Sequence, residues 1–298
     1  SLGISPQALD KEGQRPLHRA ELERRVRGLF CSDTDPCYGR QEASLAAGAW
    51  AMAALGETEH AVCYKTKGSQ PGLTLVTLAA GLPSDYVQLM RSNRLAYAVR
   101  FGYEYCQYSH RLDDERDSAW SKVIAIRLLL EHNRGQVAWM DADALIMNPT
   151  PFEYVTNAHF LDCWLCHRKD IVMTDDFYDN QVDMVGQRKA SINTGVLVMR
   201  NTAWARNFWM SIWEDFPEAI DDPWWEQRAI LMYRDRSNSA GNPSEFSKHV
   251  AIVPHRQMNS HLHQDARGTD FVVHAANGHN PAKYKNILNE LGPHLMQS

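Results

Sequence analysis

What this 298-residue chain lacks narrows the classes it can belong to. The net charge is -5 and the pI near 6.2, and no dense run of Lys or Arg occurs, Arg24-Arg25 being too little. The basic footprint of a nucleic-acid surface is therefore missing. Long apolar runs are missing as well: Ala43 to Leu55, flanked by Glu42 and Glu57, is too short to span a bilayer and reads as a buried helix. No charged-then-apolar leader opens the sequence, but a start at Ser1 without Met suggests trimming, so the missing anchor excludes nothing and a lost one stays open. N-glycosylation acceptors are absent, because Asn148-Pro149-Thr150 and Asn242-Pro243-Ser244 both carry the forbidden Pro. A second Cys-x-x-Cys is absent too, so Cys163-Trp-Leu-Cys166 cannot complete a four-ligand zinc site. With His167 it spells a haem-attachment pattern, but Phe160 to Cys166 is an apolar run that reads as a core strand, so these are expected to be buried cysteines. The six Cys leave the redox compartment open, with Cys31 to Cys37 the expected bridge.

What is present describes a folded enzyme-sized domain. At 44% hydrophobic and 22% charged, the chain can bury a substantial core. Residues 1–70 are polar and helix-leaning, with Pro6, Pro16 and Pro36 as punctuation, and read as an extension or stem. From residue 71 to 298 the pattern alternates. Leu73 to Gly81 reads as a buried first strand, Ser84 to Arg100 as a helix closed at Gly102, and Tyr103 to Tyr108 as the next strand. Asp117 to Gly135 is the clearest helix, with Asp117 or Ser118 as its cap, rows of apolar residues at i, i+4, and Gly135 as a left-handed exit. Strands are expected at Ile192 to Arg200 and Phe271 to His274, with a helix from Ala203 to Phe216 between them. This βαβ order predicts an α/β fold.

The most informative stretch is Gln136-Val-Ala-Trp-Met-Asp-Ala-Asp143, an apolar strand running into two carboxylates. If the segment stays extended, Asp141 and Asp143 point the same way with the small Ala142 between them. Two hard oxygen ligands can then meet one Mn²⁺ or Mg²⁺, whose remaining positions suit phosphate oxygens. The carboxyl end of such a strand is where open α/β sheets bind ligands. Asp33-Thr34-Asp35 has the same spacing but follows no strand, and is read as a decoy.

On further motifs the chain resembles the GT-A glycosyltransferases, most closely family 34, the xyloglucan xylosyltransferases, galactomannan galactosyltransferases and yeast α-mannan or α-galactosyl transferases. Asn93-Arg-Leu-Ala-Tyr97 followed by Phe101-Gly-Tyr103, Trp120-Ser-Lys122 before the acidic strand, Asn193-Thr-Gly195 with Arg200-Asn201 and Trp204, and the late His274 carry the resemblance, over roughly residues 73 to 284. Where the family tends to have Asp-Asp-Gln, this chain has Trp225-Glu226-Gln227, and after His274 it has Asn277-Gly278-His279 and Lys283 in place of Gly-Cys-Lys. The resemblance implies a Rossmann-like nucleotide-diphospho-sugar transferase fold, with a mixed, mostly parallel sheet flanked by helices.

It also implies roles. A UDP-sugar, with UDP-galactose or UDP-xylose ahead of GDP-mannose, would donate a hexose or pentose to a glycan or glycoprotein with an α linkage and retained configuration. Asp143 and His274 would ligate the metal directly, with Asp141 acting through the ribose or a metal-bound water. Thr77, Ala79, Tyr97 and Asn93 would line the nucleotide pocket with Ala142 and Gly195, and Gly278, His279 and Lys283 would face the diphosphate. Lys122 and Asn193 are candidates for sugar hydroxyl contacts, Lys122 being otherwise a solvated helix face. Gln227 would sit beneath the anomeric carbon with Glu226 beside it, either as a bystander or as the nucleophile of a double displacement. Asp175 and Asp176 are acceptor-side candidates, and Trp224-Trp225 are either core or a sugar-stacking platform. The resemblance points to the Golgi lumen and leaves the oligomeric state open. The alternatives are a non-catalytic nucleotide-sugar or glycan-binding module, a nucleotide-sugar pyrophosphorylase, against which the missing Gly-rich phosphate loop counts, and a haem-bearing electron carrier.

Overall fold

Runs of apolar and β-branched residues too short for helices alternate with longer periodic segments, and most take the expected form in the computed structural model, which describes residues 61–65, 72–132, 135–148, 150–160, 168–176, 192–238, 245–261 and 270–275. In chain order the elements are β1 (Val62–Lys65), β2 (Leu73–Leu78), α1 (Ser84–Phe101), β3 (Glu104–Tyr108), α2 (Ser121–Glu131), β4 (Gln136–Met140), β5 (Ala144–Ile146) and α3 (Phe152–Phe160). They continue with β6 (Ile171–Asp175), β7 (Ile192–Arg200), α4 (Ala203–Glu214), α5 (Trp225–Asn238), α6 (Glu245–His249), β8 (Val250–Val253), β9 (Ser260–His261) and β10 (Val272–His274).

The main sheet has the order β1-β3-β2-β4-β7-β6-β8. Its pairings are parallel for β2 with β3 and β4 and for β6 with β8, and antiparallel for β1 with β3 and for β7 with both β4 and β6. Strands covered on both faces are buried along their length rather than at alternate residues, and β2, β4 and β7 are so. One face carries α2, α4 and α5 around Trp120, Leu128, Trp209 and Ile230, and the other carries α1 and α3 around Leu95, Tyr97 and Phe152. A smaller sheet, β5-β10-β9, lies beyond the carboxyl end of β4.

Local signals behave as their chemistry dictates, with informative exceptions. Gly102 closes α1 at φ 70, its N–H returned to Ala98 and Val99. Asp117 caps a short 3₁₀ turn, Ser118–Trp120, which leads into α2. That helix stops at Glu131 with His132 at its cap, so Gly135 is no left-handed exit: a Cβ there would press on the Gly72 carbonyl at 3.3 Å, and close strand approach is what glycine permits. Phe160 closes helix α3 instead of opening a strand, because Phe152, Val155, Thr156 and Phe160 form a buried stripe at helical spacing. Residues 62–65, read from sequence as part of the extension, form the edge strand β1, tied to β3 by a disulfide between the register partners Cys63 and Cys106. Cys31, Cys37, Cys163, Cys166 and the run Ala43–Leu55 lie outside the described residues. Among the described residues no helix is long and apolar enough to cross a membrane.

Candidate active site

The parallel strands β2 and β4 and the strand β6, which runs alongside them across antiparallel β7, all end at one edge of the sheet. The opening residues of β7, Asn193 to Gly195, start from that same edge. The acidic pair lies there too, but not in the extended form that the period-2 spacing suggested. Strand β4 ends at Met140, and Asp141, Ala142 and Asp143 form a tight turn closed by the Ala144 N–H on the Asp141 carbonyl at 3.0 Å. The turn exists because the chain must leave the main sheet and enter β5 of the smaller one.

Helix α1 holds this turn. The buried Arg94 donates to the carbonyls of Asp141 at 2.6 Å and Ala144 at 2.9 Å, and the Tyr86 hydroxyl donates to the Ala142 carbonyl at 2.8 Å. Asn93 brackets Ile146, donating to its carbonyl and accepting its N–H, so this amide braces β5 rather than facing a nucleotide. Sequence reading missed Arg94 and Tyr86 as site residues. The available signal was their i, i+8 spacing on α1, with Met90 between them on the same buried face.

His274 reaches the turn through the smaller sheet, where it is the register partner of Ala144. Its Nε2 lies 3.1 Å from Asp143 Oδ1 and 3.9 Å from Asp141 Oδ2. The ring packs on Gly195, where an added Cβ would overlap it, and the buried Nδ1 has no hydrogen-bond partner among the described residues. Packing, rather than a second hydrogen bond, therefore orients the imidazole. Donor atoms of Asp141, Asp143 and His274 lie within 4.8 Å of one another, and two carboxylates with one imidazole fit Mn²⁺ or Mg²⁺ by chemistry and spacing. The other such grouping, Cys63, Glu104 and Cys106, is spent: the thiols form the disulfide and Glu104 accepts from the Thr74 hydroxyl.

Behind the turn lies a buried ionic cage. Lys122, far from being a solvated helix residue, is 3% exposed, and its ammonium meets Glu226 at 2.6 Å, Asp141 at 3.2 Å, and the hydroxyl and carbonyl of Thr194 at 3.1 Å each. Burial pulls the lysine's pKa down, but the Asp141 and Glu226 carboxylates outweigh it and hold the group above its ordinary value. Asp141 Oδ1 also accepts from the Trp139 indole at 2.6 Å, which leaves Oδ2 as its oxygen on the His274 side. Glu226 accepts in addition from the Thr194 hydroxyl at 2.8 Å. Next to it, half-buried Gln227 accepts the Thr194 N–H at 3.2 Å.

Other expected site residues fall nearby with different tasks. Thr77 is fully buried and donates its hydroxyl to the Met140 carbonyl, so it presents none to a nucleotide. Tyr97 is no stacking surface either: its ring sits among Phe101, Tyr103, Phe152 and Phe271, and its hydroxyl donates to Thr150. Ala79, the residue after β2, donates its N–H to Tyr108. The Asn193 side-chain Oδ1 accepts from the Gly195 N–H and from the Asn259 amide, each at 2.8 Å. Asp175 ends β6 at the same edge and is tied to His255 at 2.9 Å, while buried Asp176 faces His261 at 3.5 Å. Trp225 packs on the core, whereas Trp224 is exposed. Gly278, His279 and Lys283 lie outside the described residues.

Comparison with known proteins fits this geometry. The profile described as the galactosyl transferase GMA12/MNN10 family matches residues 77–285. A comparison with curated proteins finds no match. Among solved structures, the chain is similar to a glycosyltransferase involved in the glycosylation of the major capsid of PBCV-1, at 16% identity and TM-score 0.51, covering 74% of this chain and 99% of that one. It is also similar to GlyE of Streptococcus pneumoniae TIGR4, at 11% identity and TM-score 0.45, covering 76% and 64%, and to mouse xyloside xylosyltransferase 1, at 11% identity and TM-score 0.42, covering 68% and 97%. The α/β fold is that of the GT-A glycosyltransferases.

Proposed function

The chain belongs to the galactosyl transferase GMA12/MNN10 family and is a nucleotide-sugar glycosyltransferase, and on that premise we propose that it is metal-dependent and retaining. It takes a hexose or pentose from a UDP-sugar, with UDP-galactose or UDP-xylose favoured, and transfers it to a glycan or glycoprotein acceptor with an α linkage. The observation that carries this reading is the convergence of Asp141, Asp143 and His274 within reach of one cation, with Gln227 and the Lys122 cage beside them. The word galactosyl in the family description supports galactose without excluding xylose.

Asp143 and His274 would hold the cation directly, and Asp141 would help through Oδ2. When bound, a divalent ion offsets the negative charge that grows on the departing β-phosphate. Arg94, Tyr86 and Trp139 keep the turn from relaxing, and Lys122 pairs with Asp141 and keeps its carboxylate aimed. Gln227 offers a neutral amide beneath the anomeric carbon. Glu226 is committed to Lys122 and Thr194 and is buried, which supports a positioning role over that of a nucleophile. Retention then follows the route in which the acceptor attacks on the face of the leaving group and the leaving phosphate takes the acceptor proton, so no strong enzymatic base is needed.

We place the enzyme in an oxidising compartment of the secretory pathway, the Golgi lumen first. The Cys63–Cys106 disulfide supports this, since such bridges persist where thiols are not kept reduced.

The test is nucleoside diphosphate release from a panel of UDP- and GDP-sugars, with Mn²⁺ or with EDTA, by the wild type and by Asp143→Ala. Release from one donor that needs both the ion and Asp143 supports the reading and names the sugar. Release that survives EDTA and Asp143→Ala overturns the metal site, and Mn²⁺-dependent UDP binding without release from any donor returns the chain to a binding module.

A further inference from the structure

Trp224 is exposed to 55%, two residues before Glu226 and its neighbour Gln227. A single exposed aromatic is ordinary on a protein surface. The backbone around this one is not. Trp225 has φ 43, and among the described residues it alone, apart from glycines, sits at positive φ. A bulky side chain in that region is a true outlier, and it persists only where the surroundings over-determine it.

Those surroundings are identifiable. Asp222 accepts the Trp224 N–H on its side chain at 2.8 Å and the Trp225 N–H on its carbonyl at 2.9 Å. The Trp224 carbonyl then accepts the Arg228 N–H at 3.2 Å, joining the turn to α5. The left-handed step at Trp225 separates three side chains: Trp225 goes to the core, Glu226 goes down to Lys122, and the Trp224 indole stays in solvent. Two residues of chain span at most about 7 Å, so the Trp224 backbone stands within about that distance of the Glu226 backbone.

We infer that Trp224 is the stacking platform for a pyranose ring of the acceptor glycan. An indole offers a rigid apolar face that matches the C–H face of a neutral sugar, at the low conformational cost of two side-chain torsions. The donor's charged diphosphate belongs with Asp141, Asp143 and His274, so the neutral, half-buried Gln227 is left to the acceptor. This assignment rests on the proposed transfer reaction for the identity of its ligand as an acceptor, but the contact itself is a binding claim.

It is tested with the full chain, Mn²⁺ and UDP on a panel of immobilised neutral hexasaccharides: β-1,4-glucan, β-1,4-mannan, β-1,4-xylan, α-1,6-mannan and β-1,3-galactan. The wild type binds at least one of them. Trp224→Ala weakens that binding at least about 10-fold, the size typical of losing one buried aromatic contact. Trp224→Phe restores part of it, and Tyr154→Ala, which removes an 81% exposed aromatic on α3, binds as the wild type does. Melting curves confirm that each variant is folded. The platform is overturned if the wild type binds none of the panel, if Trp224→Ala binds as well as the wild type, or if a folded Trp224→Phe is no better than Trp224→Ala. Nucleotide release is read in parallel: glycan binding that depends on Trp224 without any donor cleavage would sink the transferase reading and leave the platform standing.

Discussion

Gly195 is the residue on which the proposed metal site of Asp141, Asp143 and His274 depends most narrowly. His274 lies where a Cβ would be, so Gly195→Ala must push the imidazole off the two carboxylates or strain β7. We expect at least a 10-fold loss of Mn²⁺ affinity, the range seen when the support of a metal ligand is disturbed, measured by the electron paramagnetic resonance of free Mn²⁺. Lys122 is the second critical residue. Replacing it with Met leaves Glu226 and Asp141 without their buried cation, and urea unfolding should show a loss of about 3–5 kcal/mol. The double variant Lys122→Met/Glu226→Gln should lose clearly less than the sum of the single variants, since the second change removes the stranded charge. The lysine's pKa is raised in the folded state, so its contribution is complete below the unfolded value of about 10.4 and is lost as pH rises through the folded one. The stability gap between wild type and Lys122→Met should therefore narrow as pH rises above the unfolded value; a gap that stays constant or widens there would refute the sign. Asp141 and Asp143 were legible from residue type and spacing, and His274 from the family resemblance and its place after an apolar strand. The cage around Lys122 was not, because a lysine on a helix carries no mark of which side of that helix the sheet covers.

At the level of elements, the long periodic segments were legible and the short non-local ones were not. Helices α1, α2 and α4 and strands β2, β3, β4 and β7 fall within a few residues of their expected bounds, since apolar period and caps are local properties. Strand β1 escaped notice because Val62–Lys65 is short and owes its place to pairing with β3 and to the Cys63–Cys106 bridge. That bridge closes a loop with a sequence separation of 43, and Cys63→Ser/Cys106→Ser should cost about 3–4 kcal/mol by loop entropy. A lowered melting temperature in the double variant, matched by reductant on the wild type, is the expected result; an unchanged one would mean that β1 stays paired by its ladder alone. The turn after β4 shows the opposite kind of miss. Its residues were found and its shape was not, because closure depends on Arg94 and Tyr86 reaching across from α1.

For the whole molecule, three segments distant in sequence meet at one edge of the sheet, so a ligand that bridges them must stabilise the fold. With Mn²⁺ and UDP each near 100 times its dissociation constant, linkage predicts about 2.7 kcal/mol per ligand, visible as a rise in melting temperature. Asp143→Ala should lose the Mn²⁺-dependent rise, and a rise that persists would place the ion elsewhere. The sequence by itself determined the α/β alternation and the family, and it picked out Asp141, Asp143 and His274 as candidate metal ligands, because apolar periodicity and donor chemistry are written residue by residue. Only the tertiary structure decided that Tyr97, Thr77 and Asn93 are structural, that Lys122 is caged and that Trp224 faces solvent while Trp225 does not. Each of those outcomes depends on which distant segment supplies the partner for a polar group or the cover for a ring, and that is settled by packing across the sheet, not by neighbours along the chain.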